Sequence, residues 1–158
     1  MSVEIASFGA GCFWGVEAAF AALPGVSQTT VGYMGGSSDN PTYKEVCSDN
    51  TGHAEVVQVR FDPDRIGYAE LLKRFFELHD PTQLNRQGPD VGRQYRSVIF
   101  YYDDAQRQLA EQAKSVEDQS GRHSAPVVTE LVAAPIFYPA EAYHQQYLAK
   151  RGLASCSL

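Results

Sequence analysis

The stretch Gly9-Ala10-Gly11-Cys12-Phe13-Trp14-Gly15-Val16-Glu17 decides how this chain is read. Upstream of it, Val3 to Phe8 reads as a short strand. Downstream, Phe13, Val16, Ala19, Phe20 and Leu23 recur at three- and four-residue spacing, the stripe of an amphipathic helix. Pro24-Gly25 stops that helix. Cys12 therefore falls on a strand-to-helix turn, at the first turn of the helix. Unpaired backbone N–H groups and the helix dipole favour an anion there, and so favour thiolate, the nucleophilic form, over thiol. Gly11 and Gly15 keep bulk away, so a substrate can approach closely. A free cysteine is more often a small buried hydrophobe. A place between glycines at a helix start, beside the only tryptophan of the chain, favours chemistry instead.

The remaining composition narrows the classes. A chain of 158 residues is most simply one domain. A hydrophobic fraction of 44% argues against disorder. With 13 basic and 19 acidic side chains the formal charge is −6, and no basic block marks a nucleic-acid surface. No apolar run is long enough to span a bilayer. Met-Ser-Val-Glu-Ile has no charged region followed by an apolar core, so a cytoplasmic protein with no secretory signal is expected. Cys12, Cys47 and Cys156 are too few and too far apart for a disulfide scaffold. The four histidines are not at zinc spacing, so neither a metal nor any other bound cofactor is expected.

Outward from the opening stretch, Val26 to Tyr33 reads as a strand. Gly35 to Tyr43 is a loop bracketed by Tyr33 and Tyr43, whose phenols can supply fixed O–H donors. His53 to Phe61 is the next strand. Its parity puts Glu55 on the same face as Val57, Val59 and Phe61, at the edge of an apolar layer. Desolvation there favours the protonated acid, a group able to donate a proton near neutral pH. A lone strand-end glutamate more commonly just reaches water.

Tyr68 to His79 forms a helix ended by Asp80-Pro81, with His79 as a capping or packing residue. A second polar loop runs from Thr82 to Gln94, and Arg96 to Tyr102 is a strand. Asp103 or Asp104 caps a helix to about Gln119, with Ala105, Leu109, Ala113 and Val116 inward. Pro126 to Ala133 is a strand, Ala140 to Lys150 a last helix, and Leu153 to Leu158 a mobile tail carrying Cys156. The order β-α-β-β-α-β, then α-β-α, matches a ferredoxin-like split βαβ core: a two-layer α/β sandwich with a mostly antiparallel sheet and C-terminal additions.

A thiolate, a protonated carboxyl, several tyrosines and a second cysteine on a mobile tail suggest a redox cycle. Cys12 becomes oxidised, and Cys156 closes a disulfide with it, a step that needs the two α-carbons within roughly 7 Å. The plainer reading of Cys156 is an idle thiol in a frayed terminus. Cys47, next to Val46, reads as buried and structural.

Taken together, several stretches resemble the A-type peptide methionine sulfoxide reductases. They are Gly-Cys-Phe-Trp-Gly-Val-Glu at Gly11 to Glu17, Val-Gly-Tyr-x-Gly-Gly at Val31 to Gly36, Asn-Pro-Thr-Tyr at Asn40 to Tyr43 and Thr-Gly-His-Ala-Glu-Val-Val at Thr51 to Val57. His79 to Gln83, Asn85 to Ser97 and Tyr143 to Leu148 complete the set, in one order over nearly the whole chain. The chain departs from the usual pattern at Met34, Asp49, Ala142 and the tail Ala154 to Ser157.

The resemblance implies an enzyme that reduces methionine S-sulfoxide, free or in peptides and proteins. Cys12 would be the nucleophile and Glu55 the acid on the sulfoxide oxygen. Tyr43 and Tyr95 would be phenols bonded to that oxygen, Phe13 and Trp14 the wall around the S-methyl group, and Asp90 a polar residue near the substrate backbone. It implies a Cys12 sulfenic acid, a Cys12–Cys156 disulfide and recycling by thioredoxin. Methionine sulfoxide repair of this type is itself one of the standing examples of the sulfur oxidation ladder. A monomer is expected. Two rival readings stay open at this level. One is a cysteine hydrolase or acyltransferase with His53 as base to Cys12. The other is a peptide-binding module in which Cys12 is incidental.

Overall fold

The computed structural model describes residues 3–48 and 50–151. The expected mobile tail, and Cys156 within it, lie outside the described residues. Strand β1 (Glu4–Ala10) leads into α1 (Phe13–Ala21), β2 (Val26–Met34), the short α2 (Tyr43–Cys47), β3 (Ala54–Phe61) and α3 (Tyr68–Leu78). A small hairpin follows, β4 (Arg86–Gln87) with β5 (Asp90–Val91). Then come β6 (Ser97–Tyr101), α4 (Asp104–Asp118), β7 (Glu130–Ala133), β8 (Tyr138–Pro139) and α5 (Tyr147–Lys150).

The main sheet has the order β7-β6-β1-β3-β2-β8. The β6–β7 pair is parallel and the other pairs are antiparallel. Its inner strands, β6-β1-β3-β2, together with α1 and α3 make the split βαβ core expected from the element order. The alternation of strand side chains divides the apolar residues between two faces. Phe8, Val31, Val57, Val59, Phe61 and Ile99 join Phe20, Leu71, Leu72 and Phe75 from α1 and α3 in one core. Met34, Ala54, Val56, Val98 and Phe100 form a smaller core on the opposite face, covered by Val132, Ala134 and Phe137.

Two glycines are dictated by geometry. Gly11 turns the chain from β1 into α1 at φ 99°, and a Cβ there would stand 2.9 Å from Gln87 Cγ. Gly32 lets β8 close on β2, since a Cβ there would lie 2.4 Å from the Tyr138 carbonyl oxygen.

The structure corrects two expectations about the helices. The inward face of α4 is Gln106, Ala110 and Glu117, with Ala113 packed against the core as expected, while Ala105 is exposed and Leu109 and Val116 are 38% and 61% exposed. Polar side chains take the inner row because the fold bonds them: Gln106 donates to Ile5 O and accepts from Tyr102 N, and Glu117 pairs with Arg122 and His123. The segment 140–150 is not one helix. It holds a single 3₁₀ turn at Ala142–His144 and then α5, because the Gln145 side chain bonds both the N–H and the C=O of Val31 on the edge of β2. That edge therefore ends in two side-chain amides and a two-residue strand rather than an open row of backbone groups.

His79 is the C-cap residue of α3, as its position implied. Its Nδ1 donates to the Phe75 carbonyl and its Nε2 accepts from Ser97 Oγ. Burial lowers its pKa to about 4, below the ordinary 6.5. Between those values the unfolded chain takes up a proton that the folded ring refuses. Folding stability is thus full above pH 6.5 and is lost as pH falls toward 4, by up to roughly 3 kcal/mol. Urea midpoints measured from pH 7.5 to 4.5 should fall more steeply for the wild type than for His79→Gln; parallel slopes would rule this assignment out.

Candidate active site

The end of β1, the start of α1 and the start of β3 meet at one place, and the sequence-predicted residues other than Cys156, which lies outside the described residues, gather around it. Cys12 is the N-cap residue of α1, half-buried, with φ −56° and ψ 120°. The first turn of α1 has no acidic residue of its own. A carboxylate reaches it from β3 instead: Glu55 Oε1 accepts the N–H of Phe13 at 3.2 Å. Glu55 is 1% exposed and pairs in register with Tyr33 of β2. Its parity with Val57 and Val59 turns it onto the helical side of the sheet, as read from the alternation. The positive end of the helix dipole thus faces both Cys12 and Glu55.

Phenols close the site. Burial first, and the charge of Glu55 next, push the Tyr43 and Tyr95 hydroxyls well above their ordinary pKa. Both groups stay protonated and serve as O–H donors. Cys12, Cys47 and Asp90 also act on Tyr95, so the second polar loop converges here with the first. That loop is docked by Gln87, whose amide bonds both backbone groups of Asp80 at 2.9 Å and whose stem packs against Gly11. Asp90 lies half-buried on β5, opposite Gln87.

An aromatic wall stands on the other side. Phe13 is buried, with its ring centroid 5.8 Å from Tyr33, 6.3 Å from Tyr43 and 5.3 Å from His144. Trp14 is half-buried and stacks on Tyr147 at 3.7 Å with 8° between the planes. Its Nε1–H donates to His144 Nδ1 at 2.9 Å. Glu141 ties this wall to the phenols: Oε1 accepts from the Tyr33 hydroxyl and Oε2 from the Tyr43 N–H. Burial alone would raise the Glu141 carboxyl, but these donors outweigh it and its pKa is lowered.

Cys47 is exposed, not buried as its neighbour Val46 had suggested. In the short α2 only Val46 faces the core, and the next position turns outward. The Cys47 thiol is hydrogen-bonded to Tyr43, and its pKa is raised by partial desolvation of the sulfur, then by Glu55 and Glu141, against that bond. His53 does not serve Cys12 as a base. Its Nδ1 accepts from the Gly36 N–H and its Nε2 donates to the Ser38 carbonyl, so both nitrogens hold the Gly35–Tyr43 loop. No cluster of metal-ligating side chains occurs among the described residues. Nor is any helix there long and apolar enough to cross a membrane.

Sequence reasoning gave no role to Glu141, His144 or Tyr147. The signal was present as four aromatic or imidazole rings within the ten residues Tyr138 to Tyr147, too dense for a solvated terminal helix. Glu141→Ala should strand the buried Tyr33 hydroxyl and free the start of α2, costing about 2–4 kcal/mol in a urea titration. A loss under about 0.5 kcal/mol would mean that Glu141 does not hold the wall to the phenols.

Comparison with known proteins bears on this arrangement. A family model described as peptide methionine sulfoxide reductase matches residues 4–158. A protein named peptide methionine sulfoxide reductase MsrA from Geobacter metallireducens is 59% identical over 155 residues, covering 98% of this chain and 96% of that one. Among solved structures, methionine sulfoxide reductase A of Corynebacterium diphtheriae superposes with a TM-score of 0.88 at 39% identity, over 98% of this chain and 78% of that one. Mxr1 from Saccharomyces cerevisiae in reduced form gives 0.86 at 36% identity, over 95% and 86%. The same yeast protein in complex with Trx2 gives 0.61 at 26% identity, over 92% and 84%.

Proposed function

Because this chain belongs to the peptide methionine sulfoxide reductase family, we propose that it reduces the S epimer of methionine sulfoxide, free or in proteins, through Cys12. The observation that carries the assignment of residues is the bond from the Phe13 N–H to Glu55 Oε1. It holds a carboxyl group beside the nucleophile, on the first turn of one helix.

A sulfoxide sulfur is a poor electrophile until its oxygen is protonated, so acid and nucleophile act together. In the proposed step the Cys12 sulfur attacks the sulfoxide sulfur while Glu55 delivers a proton to the oxygen. The oxygen passes from the substrate sulfur to the Cys12 sulfur: the S–O bond to the substrate breaks, an S–O bond to Cys12 forms, the thioether leaves as methionine with its electron pair, and Cys12 is left as a sulfenic acid. The Tyr43 and Tyr95 hydroxyls, kept protonated chiefly by burial, donate hydrogen bonds to the oxygen while Glu55 protonates it. Phe13 and Trp14 enclose the S-methyl group, and Asp90 reaches the substrate backbone.

Regeneration balances without a cofactor. The Cys156 thiol attacks the sulfenic sulfur, releasing water and forming a Cys12–Cys156 disulfide. Thioredoxin then reduces that disulfide by thiol exchange, taking the oxidation onto its own dithiol. The yeast relative solved in complex with Trx2 supports that partner. The chain acts as one catalytic domain, 1–158, with Cys156 of the segment 153–158, outside the described residues, as the resolving thiol. It works as a cytoplasmic monomer without a bound cofactor.

Cys12→Ser should abolish sulfoxide reduction. Cys156→Ser should complete one turnover and leave a sulfenic acid on Cys12, seen by mass spectrometry; normal cycling of Cys156→Ser with thioredoxin would overturn its role. Glu55→Gln should slow the first step at pH 7 by about a hundredfold or more in a single-turnover assay. Near-wild-type rates would reduce Glu55 to a hydrogen-bonding group.

A further inference from the structure

We infer that His144 is a positioning residue, whose Nδ1 fixes the Trp14 indole in the wall of the reaction site. This rests on the function proposed above. An indole N–H can only donate, so the 2.9 Å contact from Trp14 Nε1 requires an unprotonated Nδ1. The ring is then the neutral tautomer with its proton on Nε2. His144 is 1% exposed, and its Nε2 has no hydrogen-bond partner among the described residues. A buried donor in that state is destabilising. A phenyl ring could pack among Phe13, Tyr43 and Tyr143 without that cost. The advantage of imidazole here is therefore at Nδ1, on the indole edge. Burial also lowers the His144 pKa, against a smaller pull from Glu141, which keeps the acceptor neutral.

The backbone supports the same reading. His144 grips the indole by its edge and Tyr147 by its face. Only Gln145 and Gln146 separate the two, and Gln146 is left-handed at φ 51°, ψ 41°. A non-glycine residue holds that conformation where its surroundings over-determine it. Here Glu17 does so. Its Oε1 accepts the Gln146 N–H and its Oε2 the Gln146 side-chain amide, each at 2.8 Å, while the same amide reaches Thr29 O at 3.0 Å. Helix α1 thus carries both the clamped indole and the anchor of its clamp.

The chain has one tryptophan, so its indole N–H gives one nitrogen-proton resonance. In the full-length wild type, His144 Nδ1 should show the unprotonated nitrogen shift and Nε2 the protonated one; the reverse would overturn the proposal. His144→Phe should move the indole resonance and lower kcat/KM for N-acetylmethionine sulfoxide about tenfold. His144→Asn, which restores an acceptor near Nδ1, should recover most of both. In a Trp14→Phe background, His144→Phe should cost less than about twofold. An unmoved resonance, an unchanged kcat/KM, or the full tenfold loss without the indole would each sink the inference. The resonance does not depend on turnover. A wild type without sulfoxide reduction would sink the proposed function while the tautomer and the indole shift still decided the role of His144.

Discussion

The bond from the Phe13 N–H to Glu55 Oε1 is the constraint on which the rest of the site depends. A helix N-terminus leaves backbone donors without intrahelical partners, and these must be met by side chains, water or ligand. Helix α1 brings neither an acidic first turn nor a capping hydrogen bond from the side chain at its N-cap. The donor is met across the sheet, by a strand residue 42 positions further along the chain. That choice sets the distance between the turn bearing Cys12 and the carboxyl of Glu55. It also puts the carboxyl where it acts on Tyr33, Tyr43 and Tyr95 together.

A second layer of contacts keeps that meeting point rigid, and it comes from the C-terminal third. Gln145 and Gln146 reach β2 with side-chain amides, doing the work of a longer edge strand. Glu17 fastens Gln146 to α1, and Glu141 fastens the same segment to Tyr33 and Tyr43. Desolvation raises the pKa of Glu17, and four groups resist it: Thr29, the Gln146 N–H, the Gln146 amide and the charge of Lys150. A buried carboxyl this well supplied with donors serves as an anchor for chain segments rather than as a free acid. It stands one turn along α1 from Phe13, so the anchor and the aromatic wall move as one piece.

Some elements are legible in the local sequence and others are not, for identifiable physical reasons. Val57, Val59 and Phe61 alternate cleanly, and that alternation alone put Glu55 on the helical face. His79 was legible as a helix end because Asp80-Pro81 follows it. The inner row of α4 was not, because its apolar residues Leu109 and Val116 face outward, while Gln106 is buried against Ile5, 101 positions away, and Glu117 against Arg122 and His123 just past the helix end. Cys47 was misplaced because a helix of five residues is too short for a periodic pattern to assign its faces. Segment 140–150 has helical composition, yet the hydrogen-bonding demand of an edge strand far earlier in the chain overrode that propensity.

By itself the sequence determined the order of strands and helices in the core, the turn that carries Cys12, the face that carries Glu55 and the motifs that mark the family. These follow from local spacing, from turn residues and from the fixed two-residue period of a strand. Only the tertiary structure decided which donor Glu55 meets, that His53 spends both nitrogens on a loop, and that His144 and Tyr147 close on one indole. Those outcomes depend on hydrogen-bond partners up to 130 residues apart. Satisfying a buried polar group is a property of the packed chain, and no window of sequence contains both partners.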